Sequence, residues 1–408
     1  MIKGSINFSY TLGCSMANYS AGFLRRGLSG EIVGFMNILF QPFIFLMLLS
    51  FCCLVFILSL MLGRMMRLHV KLPYILAILF SPSLILMQRG ENFIRSDFVV
   101  MSLNFAASCI LLHLLFHKKQ VLLAKTSFAG MLAVDAVIFV ILAVSALIHE
   151  LSASLLPPVM VIFFIFARKA RRIMHAVSVF AMLVLIYAVV MAFFTFSNSD
   201  TVAESWNGIY QNPDSFRFNS GLMNTADRQN ALNCFDITLT LLRECGLVLI
   251  PHLLIAVAVP FTVLIFSGIT IFHSASSRAW KARCLLIISC ACPLGLSIAG
   301  GDFGRWFSLC AMNLTVYSLL TAHPAGRMKY GENTSHIKAK SAAKQCTALA
   351  IAVILLSFRL DVDGYFVKTE LPLSDEIKQV LSNSSSLMND LKPLISREIV
   401  LQPRNGSK

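Results

Sequence analysis

Charge is what this chain has least of. Only 13% of its 408 residues are Asp, Glu, Lys or Arg, while 57% are hydrophobic and the mean hydropathy is +0.75. A soluble domain needs far more charge to cover its surface, so an integral membrane protein is expected. Acids are scarcer than bases, 20 against 34, and the formal net charge is +14. The polar-in, apolar-out alternation of an outer-membrane barrel is missing too. In its place stand apolar runs of roughly 16 to 28 residues, long enough to cross a hydrocarbon core as helices. No cleavable signal peptide is expected, because the first thirty residues are polar and no A-x-A-like site follows a short apolar core.

The motifs of common soluble chemistries are absent as well. There is no Walker loop, no G-x-S-x-G and no H-E-x-x-H: His149 and Glu150 are followed by Leu151, Ser152 and Ala153. The D-x-D spacing of a nucleotide-sugar metal site occurs only as "DVD" at 361–363, beside Arg359 in a polar tail, where it reads as solvated. No metal or other cofactor is therefore expected. Eleven cysteines suggest a redox framework until they are placed. Most, such as Cys52, Cys53, Cys109 and Cys290, lie inside apolar runs, where cysteine is a small hydrophobe. Cys234 and Cys245 alone flank a polar segment on one face, and a disulfide is not expected even there.

What is present is a series of crossings. They run over 35–62, 72–88, 98–116, 126–148, 151–167, 174–196, 246–271, 284–299, 306–322 and a short 346–358. The fold class this implies is all-α: a polytopic transmembrane helix bundle of about ten spans with one large loop at 197–245. The membrane domain covers 1–358 and a polar tail 359–408.

Alternate connections differ in character. One set holds Arg64, Arg67 and Lys71; then Lys118, Lys119 and Lys125; then Arg168, Lys169, Arg171 and Arg172. It continues with Arg278, Lys281 and Arg283, then with five more bases between 327 and 344. These connections carry eighteen bases and one acid, Glu332, whereas the other connections carry sixteen bases and eighteen acids. Such asymmetry is the positive-inside signature, which puts the basic set on the cytoplasmic side of the membrane and the loop and tail outside. Scattered juxtamembrane bases anchor to anionic lipid; they do not form a groove for nucleic acid.

On the outward side, polar groups gather at membrane level. "NYSAGFLRRGLSGE" (18–31) precedes the first span, and "QRGENFIRSD" (88–97) fills a tight connection. "HE" (149–150) interrupts an apolar stretch, and "GGDFGRW" (300–306) stands between two spans. Ionisable groups at that depth are costly unless paired, hydrated or functional. Mutual ion pairing explains any one of them; for the whole set, a shared polar cavity opening outward is the better expectation. Arg25, Arg26, Arg89, Arg95 and Arg305 come from separate parts of the chain. Their planar forks suit phosphate oxygens, so they are the candidate pyrophosphate ligands. Gly27, Gly30, Gly90, Gly301 and Gly304 lie beside them, for close backbone approach or ordinary packing.

Glu150, His149, Asp97 and Asp302 are the candidate general bases. Asp302 is also a candidate partner for Arg305, at the i,i+3 spacing of a shared helix face. Trp306 suits an interfacial anchor or a sugar-stacking platform. Within 197–245, Trp206, Tyr210 and Phe216 could stack on sugars, and a loop this long suits a substrate lid. Asp135 lies within a span, about 21 Å along a helix from His149, and is expected to pair with a neighbouring hydroxyl.

With these phrases assembled, the chain resembles the Wzy-type polysaccharide polymerases of bacterial O-antigen and capsule gene clusters. The resemblance covers the overall layout and the phrases "NYSAGFLRRGLSG", "RGENFIRSD", "HE" and "GGDFGRW". It implies metal-independent joining of undecaprenyl-pyrophosphate-linked oligosaccharide repeat units on the periplasmic face, with a flippase and a chain-length regulator as partners. The arginines would hold pyrophosphate, and a carboxylate or His149 would activate the acceptor. One departure stands out. The R-x10-G spacing that some members carry in two large loops is absent, and only one large loop lies between spans.

Three other readings use the same layout. A GT-C-type glycosyltransferase with a polyprenyl-phosphate sugar donor needs a catalytic acid in its first outer loop, where only Glu31 is offered. A lipid-linked oligosaccharide flippase or other transporter would place charge at the midplane and show an internal repeat. A non-enzymatic assembly subunit leaves the glycines and arginines of one face without a purpose.

Overall fold

The computed structural model describes residues 27–37, 42–79, 96–116, 128–169, 172–194, 277–298, 303–322, 360–363 and 366–369, with the isolated positions 15, 19, 81, 260, 262–265 and 347. Among the described residues are nine longer α-helices: α1 (Gly27–Met36), α2 (Pro42–Arg67), α3 (Leu72–Leu79), α4 (Asp97–Phe116), α5 (Phe128–Ile148), α6 (Ser152–Lys169), α7 (Ile173–Phe194), α8 (Ser277–Ser289) and α9 (Phe303–Thr321). A 3-10 turn over Cys292–Ile298 precedes α9.

The described secondary structure is helical apart from one short hairpin. Strand β1 (Leu360–Asp363) pairs antiparallel with β2 (Phe366–Thr369), with Asp363 opposite Phe366. The "DVD" expected in a solvated tail is thus part of a strand. Val362 and Val367 face each other in its ladder, β-formers that the acids around them obscured.

Among the described residues, three helices are long and apolar enough to cross a membrane: Ile44–Arg67, Asp97–Leu115 and Ile173–Val190. The apolar parts of α5 and α6, Leu132–Ile148 and Ser152–Arg168, are shorter. The chain is a helical membrane protein. The loop 197–245, the crossing expected at 346–358 but for Thr347, most of that at 246–271, and residues 80 and 82–88 of that at 72–88 lie outside the described residues.

Two expected crossings are cut differently. The apolar run from 35 divides into α1 and α2, because Pro42 lacks an N–H and has its φ preset for a first helical position. The run over 284–299 begins earlier, at Ser277, and leaves α-geometry at Ala291–Cys292. Pro293 cannot donate a helical hydrogen bond there, and the chain tightens through contacts such as Leu294 N–H to Ala291 C=O (2.9 Å).

One continuous apolar core runs through α2 to α9. The outward faces of α2, α5 and α7 are apolar as well: Phe51 and Val55, Val137 and Val140, Met174 and Leu185 are all exposed. In water such surface would aggregate; in a bilayer it meets its proper solvent. Burial ranks the helices. The apolar window of α7 is 22% buried and that of α4 is 56% buried. Helix α9 is enclosed almost all round, from Trp306 to Ala322, although it carries Ser308, Asn313, Thr315, Ser318 and Thr321. A helix of such mixed polarity is a poor lipid-facing span, and the bundle keeps it at the centre. Thr315 and Thr321 return their hydroxyls to carbonyls one turn back (both 2.7 Å), and the Tyr317 hydroxyl meets Ser108 Oγ of α4 at 2.9 Å. Such bonds hold helices together where lipid gives no hydrophobic drive.

Basic side chains at two helix ends hold contacts between helices. Arg64, in the last turn of α2, donates from Nε to Leu319 C=O and from Nη2 to Leu320 and Ala322 C=O, each at 3.0 Å. It therefore caps carbonyls that the C-terminus of α9 leaves unpaired. Helix α2 itself stops in a Schellman motif. His69 adopts φ 56°, Val70 N–H donates to Met65 C=O (2.9 Å) and His69 N–H to Met66 C=O (3.0 Å). Asp135, expected to meet a hydroxyl, instead faces two basic side chains at the start of α7. Its Oδ2 lies 3.4 Å from His175 Nδ1 and 3.9 Å from Arg172 Nη1. The helix register brings that end of α7 beside the early turns of α5, which spacing along α5 alone could not reveal.

Candidate functional site

At the end of the bundle opposite those bases, three helix termini meet. Helix α4 begins at Asp97, with Ser96 before it accepting the N–H of Val100 (3.0 Å). An acid in the first turn suits the positive end of the helix. Helix α5 ends at Ile148, and the chain reverses through His149, Glu150 and Leu151 into α6. Short backbone bonds close that turn, from Ser152 N–H to His149 C=O and from Ala153 N–H to Glu150 C=O (both 3.0 Å). Helix α9 begins at Phe303, which puts Arg305 in its first turn. A cation is disfavoured at that pole unless an acid answers it.

Asp97 answers it. Arg305 Nε donates to Asp97 Oδ2 at 2.6 Å and Nη2 to Oδ1 at 2.5 Å, a two-pronged pair between residues 208 positions apart. The same Nη2 lies 3.4 Å from His149 Nε2. On the far side of that ring, Nδ1 lies 3.3 Å from Glu150 Oε2 and receives the N–H of Leu151 at 2.9 Å. The guanidinium of Arg305 rests 4.6 Å from the ring centre of Trp306. Asp97, Arg305, His149 and Glu150 thus form a continuous polar chain, with Trp306 beneath it.

The imidazole is placed to hold its proton at either nitrogen. With the proton on Nδ1 it points at Glu150, and Nε2 accepts from Arg305. With Nδ1 bare, that nitrogen accepts from Leu151, and a proton on Nε2 faces the guanidinium. The first arrangement completes the link from Arg305 through the ring to Glu150, and the second satisfies the Leu151 N–H.

Exposure divides the labour. The side chains of Asp97, His149 and Arg305 are 1%, 4% and 10% exposed, and that of Glu150 is 24% exposed. Glu150 is the member of this chain that the surroundings reach best. A helical stripe on α4 supports the cluster from below: Asp97, Asn104 and Ser108 recur near i, i+7 and i+11 on one face. Asn104 Nδ2 donates to Ser145 Oγ of α5 at 3.0 Å, and Ser108 meets Tyr317. On the other side, Ser152 Oγ is hydrogen-bonded to the Tyr187 hydroxyl of α7.

Of the residues singled out from the sequence, the structure brings Asp97, His149, Glu150, Arg305 and Trp306 together. Arg25, Arg26, Arg89, Arg95, Asp302, Trp206 and Tyr210 lie outside the described residues. The partner seen on Arg305 is Asp97, and the fork edge suited to phosphate is already taken by it. Trp306 is buried beneath that arginine rather than standing at an open interface. In the first motif, the Tyr19 ring lies where a Cβ on Gly27 would stand, so Gly27 serves close packing. Glu31 accepts the Tyr19 N–H at 2.9 Å, which ties that acid into its own segment. Asn104, Ser145 and Ser108 had not been singled out; the polar stripe of α4 is the signal that marks them. The described residues contain no cluster of three or more metal-ligating side chains.

The fold defines a helical membrane protein with a buried polar cluster at one end. No protein-family model, no curated protein and no solved structure matches this chain.

Proposed function

We propose that the chain is a bacterial inner-membrane polymerase that joins polyprenyl-pyrophosphate-linked oligosaccharide repeat units on the periplasmic face. What supports this reading is the convergence of Asp97, His149–Glu150 and Arg305–Trp306 where α5 ends and α4 and α9 begin. Ion pairing alone would satisfy Asp97 and Arg305. It leaves unexplained a histidine bridging that pair to a second, more exposed carboxylate.

In this reading Glu150 is the base. It takes the proton of a sugar hydroxyl on the acceptor unit while that oxygen bonds to the anomeric carbon of the donor chain. The bond from anomeric carbon to phosphate oxygen breaks, and polyprenyl pyrophosphate leaves with the electron pair. His149 orients Glu150 through Nδ1–H. Arg305, oriented by Asp97, directs positive charge toward the departing pyrophosphate, joined by Arg25, Arg26, Arg89 and Arg95. The cluster supplies its acid–base and electrostatic parts from side chains alone.

The test uses purified full-length protein and a synthetic lipid-pyrophosphate repeat unit. The expected products are a series of chains differing by one unit, with one free polyprenyl pyrophosphate released per linkage. Transfer of single sugars from a polyprenyl monophosphate donor would instead establish the GT-C-type transferase. Movement of the lipid-linked unit across vesicles without any linkage would establish a transporter.

A further inference from the structure

Helices α4 and α9 both begin at the candidate site, and the contacts between them keep one register. Asp97 meets Arg305, 208 positions on, and Ser108 meets Tyr317, 209 positions on. By the helical rise, Ser108 stands about 16 Å below Asp97, or about half of a bilayer core. Between these two contacts the same register sets Asn104 against Asn313. Each asparagine lies one turn before a member of the Ser108–Tyr317 pair, so both fall on the faces that already meet.

The asparagines do not close the gap themselves. Arginine and tyrosine are long enough to reach an opposite helix, whereas asparagine is short. Asn104 is 1% exposed, and its Nδ2 donates to Val100 C=O at 2.8 Å and to Ser145 Oγ at 3.0 Å. Its Oδ1 is buried and accepts no hydrogen bond. Asn313 is equally buried, and its Nδ2 donates none. An acceptor and a donor thus stand at one level of the bundle, enclosed, without satisfying each other. Leaving such groups dry is costly, and nearly all buried polar atoms have partners.

The hydroxyls one turn below supply a third group. Ser108 Oγ donates to Asn104 C=O at 2.9 Å, so the hydrogen in its 2.9 Å contact with Tyr317 is the tyrosine's. Tyr317 Oη therefore keeps a lone pair with which to accept.

We infer that one water molecule is bound between α4 and α9, accepting from Asn313 Nδ2–H and donating to Asn104 Oδ1 and Tyr317 Oη. About three partners is the usual number for a buried water. The bound water continues the polar seam from the Asp97–Arg305 pair down to Ser108–Tyr317. It also helps to set the spacing of the two helices that carry that ion pair, a contact for which lipid offers no substitute. The site involves no substrate chemistry, so it stands or falls apart from the polymerase reading.

The test is radiolytic footprinting of the detergent-purified full chain, with oxidation read residue by residue by mass spectrometry. Radicals formed from a bound water oxidise the side chains beside it, even where bulk solvent does not reach. Phe105 packs edge to face on Tyr317 with ring centres 5.5 Å apart, and both are 0% exposed. Phe163 of α6 is also 0% exposed and serves as the reference of equal chemistry. In wild type, Phe105 is expected to be oxidised several-fold faster than Phe163, with Tyr317 oxidised as well. Asn104→Leu with Asn313→Leu makes the site apolar, and because apolar cavities stay dry, oxidation of Tyr317 should fall by at least about fivefold. Misfolding raises oxidation throughout, Phe163 included, so it cannot imitate that fall. Asn313→Leu alone leaves both hydrogen bonds of Asn104 Nδ2 in place and should show the same direction if the double variant does not fold. Equal oxidation of Phe105 and Phe163 in wild type overturns the inference. So does oxidation of Tyr317 that neither variant reduces.

Discussion

Replacing Asp97 by alanine should leave the Arg305 guanidinium almost enclosed and without its carboxylate. Two charge-assisted hydrogen bonds disappear, at 2.6 and 2.5 Å, from side chains that are 10% and 1% exposed. Breaking a buried pair by removing one partner typically costs about 3–5 kcal/mol, because the remaining charge stays desolvated. The cation–π contact with Trp306 offsets only about 1 kcal/mol of that. Removing both charges is different. Asp97→Ala with Arg305→Met leaves no unpaired charge, and its stability should return to within about 1–2 kcal/mol of wild type. Equilibrium unfolding of the purified protein in mixed detergent measures all four states of the cycle. The expected coupling between the two positions is at least about 2 kcal/mol. Reversal of the loss by the double variant, with no polymer made in vitro, would divide the pair's structural role from its chemical one. Asp97→Ala within about 0.5 kcal/mol of wild type would refute the reasoning, since only a solvated surface pair is worth so little.

Glu150→Gln keeps shape and removes the base, so elongation should fall by about 10²–10⁴-fold with unfolding unchanged, measured by product ladders and melting. His149→Gln should reduce the rate less, because it orients the carboxylate rather than accepting the proton, and a pH–rate profile that shifts with it would check this. Arg64→Ala strips three hydrogen bonds from the end of α9 and should lower stability by about 2–4 kcal/mol, read by the same detergent unfolding. His69→Gly relieves a left-handed residue at φ 56° in a Schellman motif and should raise stability by up to about 1 kcal/mol, read as a higher Tm.

Much of this was legible in the residues, for physical reasons. Apolar runs at membrane length mark α2, α4 and α7 without tertiary information, because lipid demands internally satisfied backbone. "HE" stood out because two ionisable side chains interrupt an apolar stretch, and Asp97 and Arg305 because they sit at the ends of such stretches. The pairing itself was not legible. Spacing alone offered Asp302 to Arg305, and only the packing of α4 beside α9 puts Asp97 within 2.6 Å. Helix α9 was read as one span among many, whereas its serines, threonines and Asn313 mark it as the enclosed one. The break after Ser289 follows from Pro293, whose effect is local and was outweighed by the hydropathy of the window around it. The hairpin over 360–369 depends on a strand partner that no local charge count reports.

The central claim is that the Asp97–Arg305–His149–Glu150 cluster carries polymer elongation. Its most direct measurement is the lipopolysaccharide banding pattern of a host lacking this gene, with rescue by wild type and by Glu150→Gln expressed at equal levels. The account predicts a ladder collapsed to a single repeat unit on the lipid core, restored by wild type and not by Glu150→Gln. A ladder that persists without the gene, or that Glu150→Gln restores in full, would contradict it.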